Sequence, residues 1–223
     1  MIKMVASDLD GTLLDSMPIW ENAAAVFLAK HGIEAEAGLG RRLYPLSMQE
    51  GAAYLQKKYR LSMSSDKIIE GVGAVVSDFY AEEAPLKPNA DAFLNALREK
   101  SIPIAIATSN ERGAVEAAFR RLGILQYFTE IFTCSEIGAG KTKPDIYRSA
   151  AEALQAPADC TWIFEDAYYA AKTAHDAGFR VAGVYDASSA EDSELLRAVS
   201  DIYIGDFSDF AGFYRKAQRE GTK

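Results

Sequence analysis

Cysteine is scarce. The 223 residues contain two, Cys134 and Cys160, too few for a disulfide framework, so an intracellular, cytoplasmic home is the expectation. Histidine is equally rare, and His31 and His175 read as ordinary helix residues. No apolar run approaches the ~18 residues that span a bilayer. The stretch Met1–Asp8 meets its first acid too early to hold a secretory core. Positive charge is short as well. Lys and Arg number 24 against 32 Asp and Glu, a formal net charge of −8. That balance argues against nonspecific DNA binding, which needs cations to displace counterions, and against an anionic membrane surface. The expected partners therefore include neither nucleic acid nor membrane, and a monomer is the simplest assembly. A small anionic substrate stays compatible, because a site can be locally positive or hold a metal.

What the chain has in quantity is apolar surface. Hydrophobic residues make up 49% of it, and a chain of this length buries roughly 70–75% of its unfolded surface. Six short apolar runs read as strands: Ile2–Ala6, Ile102–Ala107, Glu130–Cys134, Thr161–Phe164, Arg180–Val184 and Ile202–Ile204. Helical spacing separates the later ones. Val115, Ala118, Phe119 and Leu122 repeat at i, i+3, i+4 and i+7 before Gly123. Ile146, Ala150, Ala153 and Leu154 form a similar stripe, as do Ala167, Ala170, Ala171 and Ala174, which end near Gly178. Strands alternating with helices predict βαβ units and a parallel sheet, and the unbroken apolar runs suit strands covered on both faces. The fold class expected is α/β, a three-layer Rossmann-like core.

Residues 16–86 break this rhythm. They offer no strand but three helical stripes: Trp20, Ala24, Phe27 and Leu28, ending near His31-Gly32; Ala52, Leu55 and Tyr59, opened by the capping-box pattern Ser47-Met48-Gln49-Glu50; and Ile68, Val72, Val75, Val76 and Phe79. The segment reads as an all-helical insert. That leaves residues 1–15 and 87–223 as a discontinuous core, with Pro85 and Pro88 marking the return. Trp20 and the Met and aromatic positions of the insert read as bundle core, with Trp20 as a secondary candidate for lining a site. Arg41, Arg42 and Tyr44 read as solvated surface more than as substrate contacts. The polar tail Arg215–Lys223 reads as frayed.

Ligands of open parallel sheets bind at the carboxyl ends of the strands. The first run leads into Asp8-Leu9-Asp10-Gly11-Thr12-Leu13, the second into Thr108-Ser109-Asn110, the third into Gly138-Ala139-Gly140-Lys141, and the fourth into Glu165-Asp166. Each motif alone has a plain explanation. An Asp caps a helix, a strand-end hydroxyl bonds local backbone, a lysine is solvated, and acids suit a helix N-terminus. Together they are four carboxylates against one lysine. Crowded carboxylates resist joint ionisation, so a proton or cation must compensate. Oxygen ligands without His or Cys suit a hard ion, Mg²⁺ before Zn²⁺. A phosphate monoester, bringing roughly −1.5 to −2 charge, would need that ion and the lysine to bind. The combination points to phosphoryl transfer.

Asp8-x-Asp10-Gly11-Thr12-Leu13, Thr108, Lys141 and Glu165-Asp166, in this order, resemble the four motifs of the haloacid dehalogenase superfamily. The insert resembles the small helical cap of its β-phosphoglucomutase-like branch. The resemblance implies a Mg²⁺-dependent phosphatase acting on a small phosphorylated metabolite, such as a sugar phosphate, with the cap excluding water and selecting the leaving group. Asp8 would be the nucleophile and form an aspartyl-phosphate. Asp10 would be the general acid and base, with its pKa raised, and its backbone carbonyl would join Asp8 and Asp166 as metal ligands, with Glu165 binding directly or through water. Thr108, Ser109, Asn110 and Lys141 would bind the phosphoryl group, with Lys141 offsetting charge on Asp8. Two departures stand out. Gly140-Lys141-Thr142-Lys143-Pro144-Asp145 lacks the family's first proline, which makes Lys143 a rival to Lys141, though spacing favours Lys141. Trp20 stands where the mutases carry histidine, which favours hydrolysis over the alternative, a hexose-phosphate mutase. A phospho-accepting receiver domain shares the acids, hydroxyl and lysine, but it is shorter, places its acceptor after a later strand and has no helical insert.

Overall fold

A computed structural model of the chain describes residues 2–43, 46 and 48–219. In chain order the elements are β1 (Met4–Ser7), α1 (Met17–Lys30), α2 (Leu39–Leu43), α3 (Met48–Tyr59), α4 (Ser65–Glu82), α5 (Ala90–Glu99), β2 (Ile104–Thr108), α6 (Arg112–Leu122), β3 (Glu130–Thr133), α7 (Cys134–Ile137), α8 (Asp145–Ala153), β4 (Thr161–Glu165), α9 (Tyr168–Asp176), β5 (Arg180–Val184), α10 (Ser193–Val199), β6 (Ile202–Ile204) and α11 (Phe210–Arg219). They form two compact units. One runs to Asp15 and resumes at Pro85; the other is Ser16–Ala84.

The first unit is a six-stranded sheet in the order β3-β2-β1-β4-β5-β6, parallel throughout. Side chains alternate along each strand, so the sheet has two faces to cover. Met4 and Ala6 of β1, Ala105 and Ala107 of β2 and Ile163 of β4 meet Ile146, Tyr147 and Ala150 of α8 and Ala171 and Ala174 of α9. On the opposite face Phe93 of α5 packs edge-on against Phe164, Phe207 and Phe210, and Phe213 of α11 packs edge-on against Trp162 and Phe164. Helix, sheet and helix make the three layers of the expected α/β class.

The second unit has its own core. Ile19, Ala23, Ala24, Phe27 and Leu28 of α1 pack with Leu39, Ala52, Leu55, Ile68 and Val75. Ser64 caps α4 by accepting a hydrogen bond from Lys67 N–H. Gly40 allows the close approach of α2 to α1, because a Cβ there would collide with the Glu21 backbone. Around Glu36, the Tyr54 hydroxyl donates to one carboxylate oxygen and Lys58 lies 2.8 Å from the other.

Several expectations need correction. β1 begins at Met4 and extends to Ser7, and β2 is Ile104–Thr108, each displaced toward the acidic or hydroxyl motif that follows it. Cys134 opens α7 instead of ending β3, because the Thr133 hydroxyl accepts from Glu136 N–H and caps the turn. The segment holding Arg41 and Arg42 forms α2, so four helices stand where three were expected. Trp20 is 48% exposed and Met48 58%, so neither belongs to the bundle core; on α1 the buried stripe begins one residue earlier, at Ile19. The C-terminal segment stays helical through Arg219, since Phe213 and Ala217 are buried. The capping Ser47, Tyr44 and the tail beyond Arg219 lie outside the described residues. The sheet unit resumes at Pro85, not residue 87: Asp15 N–H donates to Pro85 O, and Leu14 bridges Leu86.

Candidate active site

Register brings the acids together. β1 pairs with β4 so that Ser7 lies beside Phe164, and Asp8 N–H donates to Phe164 O at 2.9 Å. The next step along both strands places Asp8 beside Glu165. Asp8 keeps the parity of Met4 and Ala6, and Glu165 that of Ile163, so both carboxylates continue over the face covered by α8. Asp166 follows directly. One carboxylate oxygen from each of Asp8, Glu165 and Asp166 lies within 4.8 Å of the others, and all three residues are buried. β1 lies between β2 and β4, at the reversal of the strand order where open α/β sheets bind ligands.

After β1 the chain turns tightly. Leu13 and Leu14 N–H both donate to Leu9 O, and Gly11 N–H donates to Leu14 O. Gly11 adopts φ +72°, where a side chain is strained. A Cβ there would stand 2.5 Å from Asp166 Oδ2. The Thr12 hydroxyl donates to Asp166 Oδ1 at 3.0 Å, which fixes the orientation of that carboxylate.

Lys141 is the buried cation of the site, 4% exposed. Its ammonium contacts Asp8 Oδ1 and lies 2.6 Å from Glu165 Oε1. Lys143 is exposed. Burial alone would lower the Lys141 pKa, but Asp8 and Glu165 outweigh it and hold the ammonium protonated. Glu165 is pushed up chiefly by burial, with Asp8 and Asp166 adding to the shift against the pull of Lys141. Asp166 is pushed up by burial and then by Asp8. Lys141 thus meets two of the three buried carboxylates, and burial with mutual repulsion disfavours joint ionisation of the set.

The other site residues come from β2. Thr108 is fully buried and accepts from Asn110 N–H at 3.0 Å, which leaves its own hydroxyl proton to donate elsewhere. Ser109 is exposed. The Asn110 side-chain oxygen accepts from Glu111 N–H, which turns its amide nitrogen toward Asp10 Oδ2 at 3.2 Å. Asp10 is half-buried. The structure therefore brings Asp8, Glu165, Asp166 and Lys141 into one contact set and links Asp10 to Asn110.

Two contributors escape a reading of the sequence. Thr12 lies inside the first motif, and its bond to Asp166 shows only once the register is known. Tyr147 on α8 is fully buried and donates from its hydroxyl to Glu165 Oε1 at 2.8 Å. Burial, then the charge of Glu165, keeps that phenol well above its ordinary pKa. In sequence it is one more aromatic on a helical stripe.

A family model described as haloacid dehalogenase-like hydrolase matches residues 2–178. A validoxylamine A 7'-phosphate phosphatase from Streptomyces hygroscopicus subsp. limoneus is 27% identical over 209 residues, spanning 94% of this chain and 96% of that protein. A phosphorylated carbohydrates phosphatase from Thermotoga maritima is 26% identical over 184 residues, spanning 82% and 85%. Among solved structures, a Thermotoga maritima protein carrying the name β-phosphoglucomutase superposes with a TM-score of 0.82 at 23% identity, covering 96% of this chain and 99% of that one. At that identity the likeness concerns the fold.

Proposed function

Because the chain belongs to the haloacid dehalogenase-like hydrolases, we propose that it is a Mg²⁺-dependent phosphatase that hydrolyses a small phosphorylated metabolite, of the sugar-phosphate kind, through an aspartyl-phosphate on Asp8. The observation that carries this reading is the buried set of Asp8, Glu165 and Asp166, with Lys141 lying against the first two. The phosphatase names of the two relatives support the substrate class.

The residues fit a hard divalent cation. Their donors are all carboxylate oxygens, and Glu165 Oε2 is buried with no hydrogen-bond partner among the described residues, a state that an acceptor avoids unless something else satisfies it. Asp8, Glu165 and Asp166 would hold the ion, with the Asp10 carbonyl as a further ligand. Bound there, Mg²⁺ supplies charge neutralisation to the phosphoryl oxygens.

In the first step Asp8 attacks phosphorus, and the ester oxygen leaves with a proton from Asp10. The product is an aspartyl-phosphate and a free alcohol. In the second step Asp10 takes a proton from water as that water attacks phosphorus; inorganic phosphate leaves and the Asp8 carboxylate returns. Thr108 donates its free hydroxyl proton to a phosphoryl oxygen, joined by backbone N–H groups at Ser109 and Asn110. Lys141 offsets negative charge on Asp8 and on the transferred group. The Asn110 amide holds the Asp10 carboxyl in one orientation. Hydrolysis is preferred to mutation of a sugar phosphate because Trp20, whose indole is a donor only, stands where the mutases carry histidine. One chain would act on a diffusing metabolite in the cytoplasm, and no described helix is long and apolar enough to cross a membrane.

The test is hydrolysis of p-nitrophenyl phosphate and a panel of sugar phosphates. Turnover should fall at least about 100-fold in EDTA and return with Mg²⁺. Equal rates with and without chelator would end the metal assignment. A second result should follow from the turn after β1. Gly11→Ala forces strain costing about 1–2 kcal/mol and presses a methyl group against Asp166. Activity should drop on the order of 10- to 100-fold, with a lower melting temperature. Steady-state kinetics and a thermal melt check both, and unaltered kinetics would show that Asp166 tolerates displacement.

A further inference from the structure

We infer that Tyr147 is a positioning residue for the cation, whose hydroxyl, together with Lys141, occupies Glu165 Oε1 and leaves Oε2 as the single oxygen that Glu165 offers. The inference rests on the metal reading above and adds to it a residue that selects how the ligand binds.

The geometry is specific to one oxygen. Glu165 Oε1 accepts from the Tyr147 hydroxyl at 2.8 Å and from Lys141 at 2.6 Å. Glu165 Oε2, on the same buried carboxylate, accepts from nothing among the described residues. Two donors on one oxygen and none on the other fix the carboxylate plane. Lys141 is shared with Asp8, so the tyrosine is the donor committed to Glu165 alone. Its ring is fully buried within the core between α8 and the sheet and lies edge-on to Phe179 at 6.1 Å, which leaves the hydroxyl little freedom to move away.

The consequence is a bias in coordination. A carboxylate with one oxygen already doubly hydrogen-bonded is held to monodentate ligation. Mg²⁺ requires near-octahedral geometry and accepts single carboxylate oxygens, whereas Ca²⁺ takes more ligands and readily accepts bidentate carboxylates. Outer donors of this kind orient a ligand, and their loss typically weakens metal binding 10- to 100-fold. Tyr147 therefore favours the smaller ion at this site.

Tyr147→Phe keeps the ring and removes the donor. Titration calorimetry with Mg²⁺ alone and with Ca²⁺ alone, on the full chain without substrate, reads the effect directly. The Mg²⁺ Kd should rise about 10-fold or more, and the Ca²⁺ Kd should rise distinctly less, so the preference for Mg²⁺ narrows. An unchanged Mg²⁺ Kd would overturn the inference. Equal weakening of both ions would overturn it too, because a loosened core would do the same. A thermal melt of the metal-free variant confirms that it folds, and Tyr147→Leu should give the same narrowing if the hydroxyl is what matters. If the wild-type chain bound neither ion, the metal reading itself would fall and the inference with it, a result distinct from a change confined to the variant.

Discussion

Asp8→Asn is expected to lower kcat on any phosphate ester by on the order of 10⁴-fold or more, the scale reached when one member of an interdependent catalytic set is removed. The amide nearly matches the carboxylate in volume, so the pocket keeps its shape. It lacks the anionic oxygen that would attack phosphorus, so no acyl phosphate forms. It also withdraws one ligand and one charge from the set of Asp8, Glu165 and Asp166. Lys141 retains its bond to Glu165 at 2.6 Å, and crowding among the remaining acids eases. The metal-free variant should therefore melt no lower than the wild type. A dead enzyme with an intact melt identifies chemistry as what was lost. Turnover within tenfold of wild type would remove Asp8 from the nucleophile position, and with it the two-step scheme.

Lys141→Met should damage both activity and stability, and the loss of stability should depend on pH. Lys141 is 4% exposed, and its ammonium lies against two buried carboxylates. Breaking a buried ion pair by removing one partner costs about 3–5 kcal/mol, because the remaining charge has no compensation. The sign of the pH dependence follows from the acids. Burial first, then neighbouring carboxylates, raises Glu165 to about 8 and Asp166 to about 7, above the unfolded values of about 4. A raised acid contributes stability that is present below its unfolded pKa and is lost as pH rises through its folded one. Without the lysine these acids are pushed higher still. The variant should stand close to wild type at pH 5 and well below it at pH 8, as measured by urea unfolding in EDTA. Mg²⁺ should restore part of the stability at pH 8 without restoring turnover. A penalty equal at the two pH values would mean that Lys141 acts through packing and not through charge.

The sheet is legible in the sequence because its strands are covered on both faces. Met4–Ser7, Ile104–Thr108 and Thr161–Glu165 are buried along their whole length, so each appears as an unbroken apolar run. The acids and the hydroxyl are conspicuous because such residues at the ends of buried strands need a reason to be there, whereas Lys141 lies beyond α7 and is picked out only by its motif. Partners that meet only through register are not legible. Thr12 reaches Asp166 and Tyr147 reaches Glu165 across separations that no local pattern carries. Helix faces are read with less precision than strands. Ile19 lies inside and Trp20 outside, so the stripe read from Trp20, Ala24, Phe27 and Leu28 is right at its last three positions and wrong at its first. α2 is five residues long, too short for periodicity to declare it. α11 hides in a polar tail, held as a helix by Phe213 and Ala217 against the sheet unit.

The position of β1 sets a demand on assembly. It precedes the other five strands in the chain, yet its neighbours in the sheet are β2 and β4, with Val5 beside both Ile104 and Trp162. The innermost strand must therefore wait, unpaired and apolar, while the ribosome delivers partners from far along the chain. Closing such long loops is slow, and exposed strand edges invite aggregation in the meantime. The Ser16–Ala84 unit has a core of its own and emerges complete before any partner of β1. The helical unit can therefore close its core early in synthesis, whereas the pairing of β1 with Thr161–Glu165 has to wait until that strand has been translated.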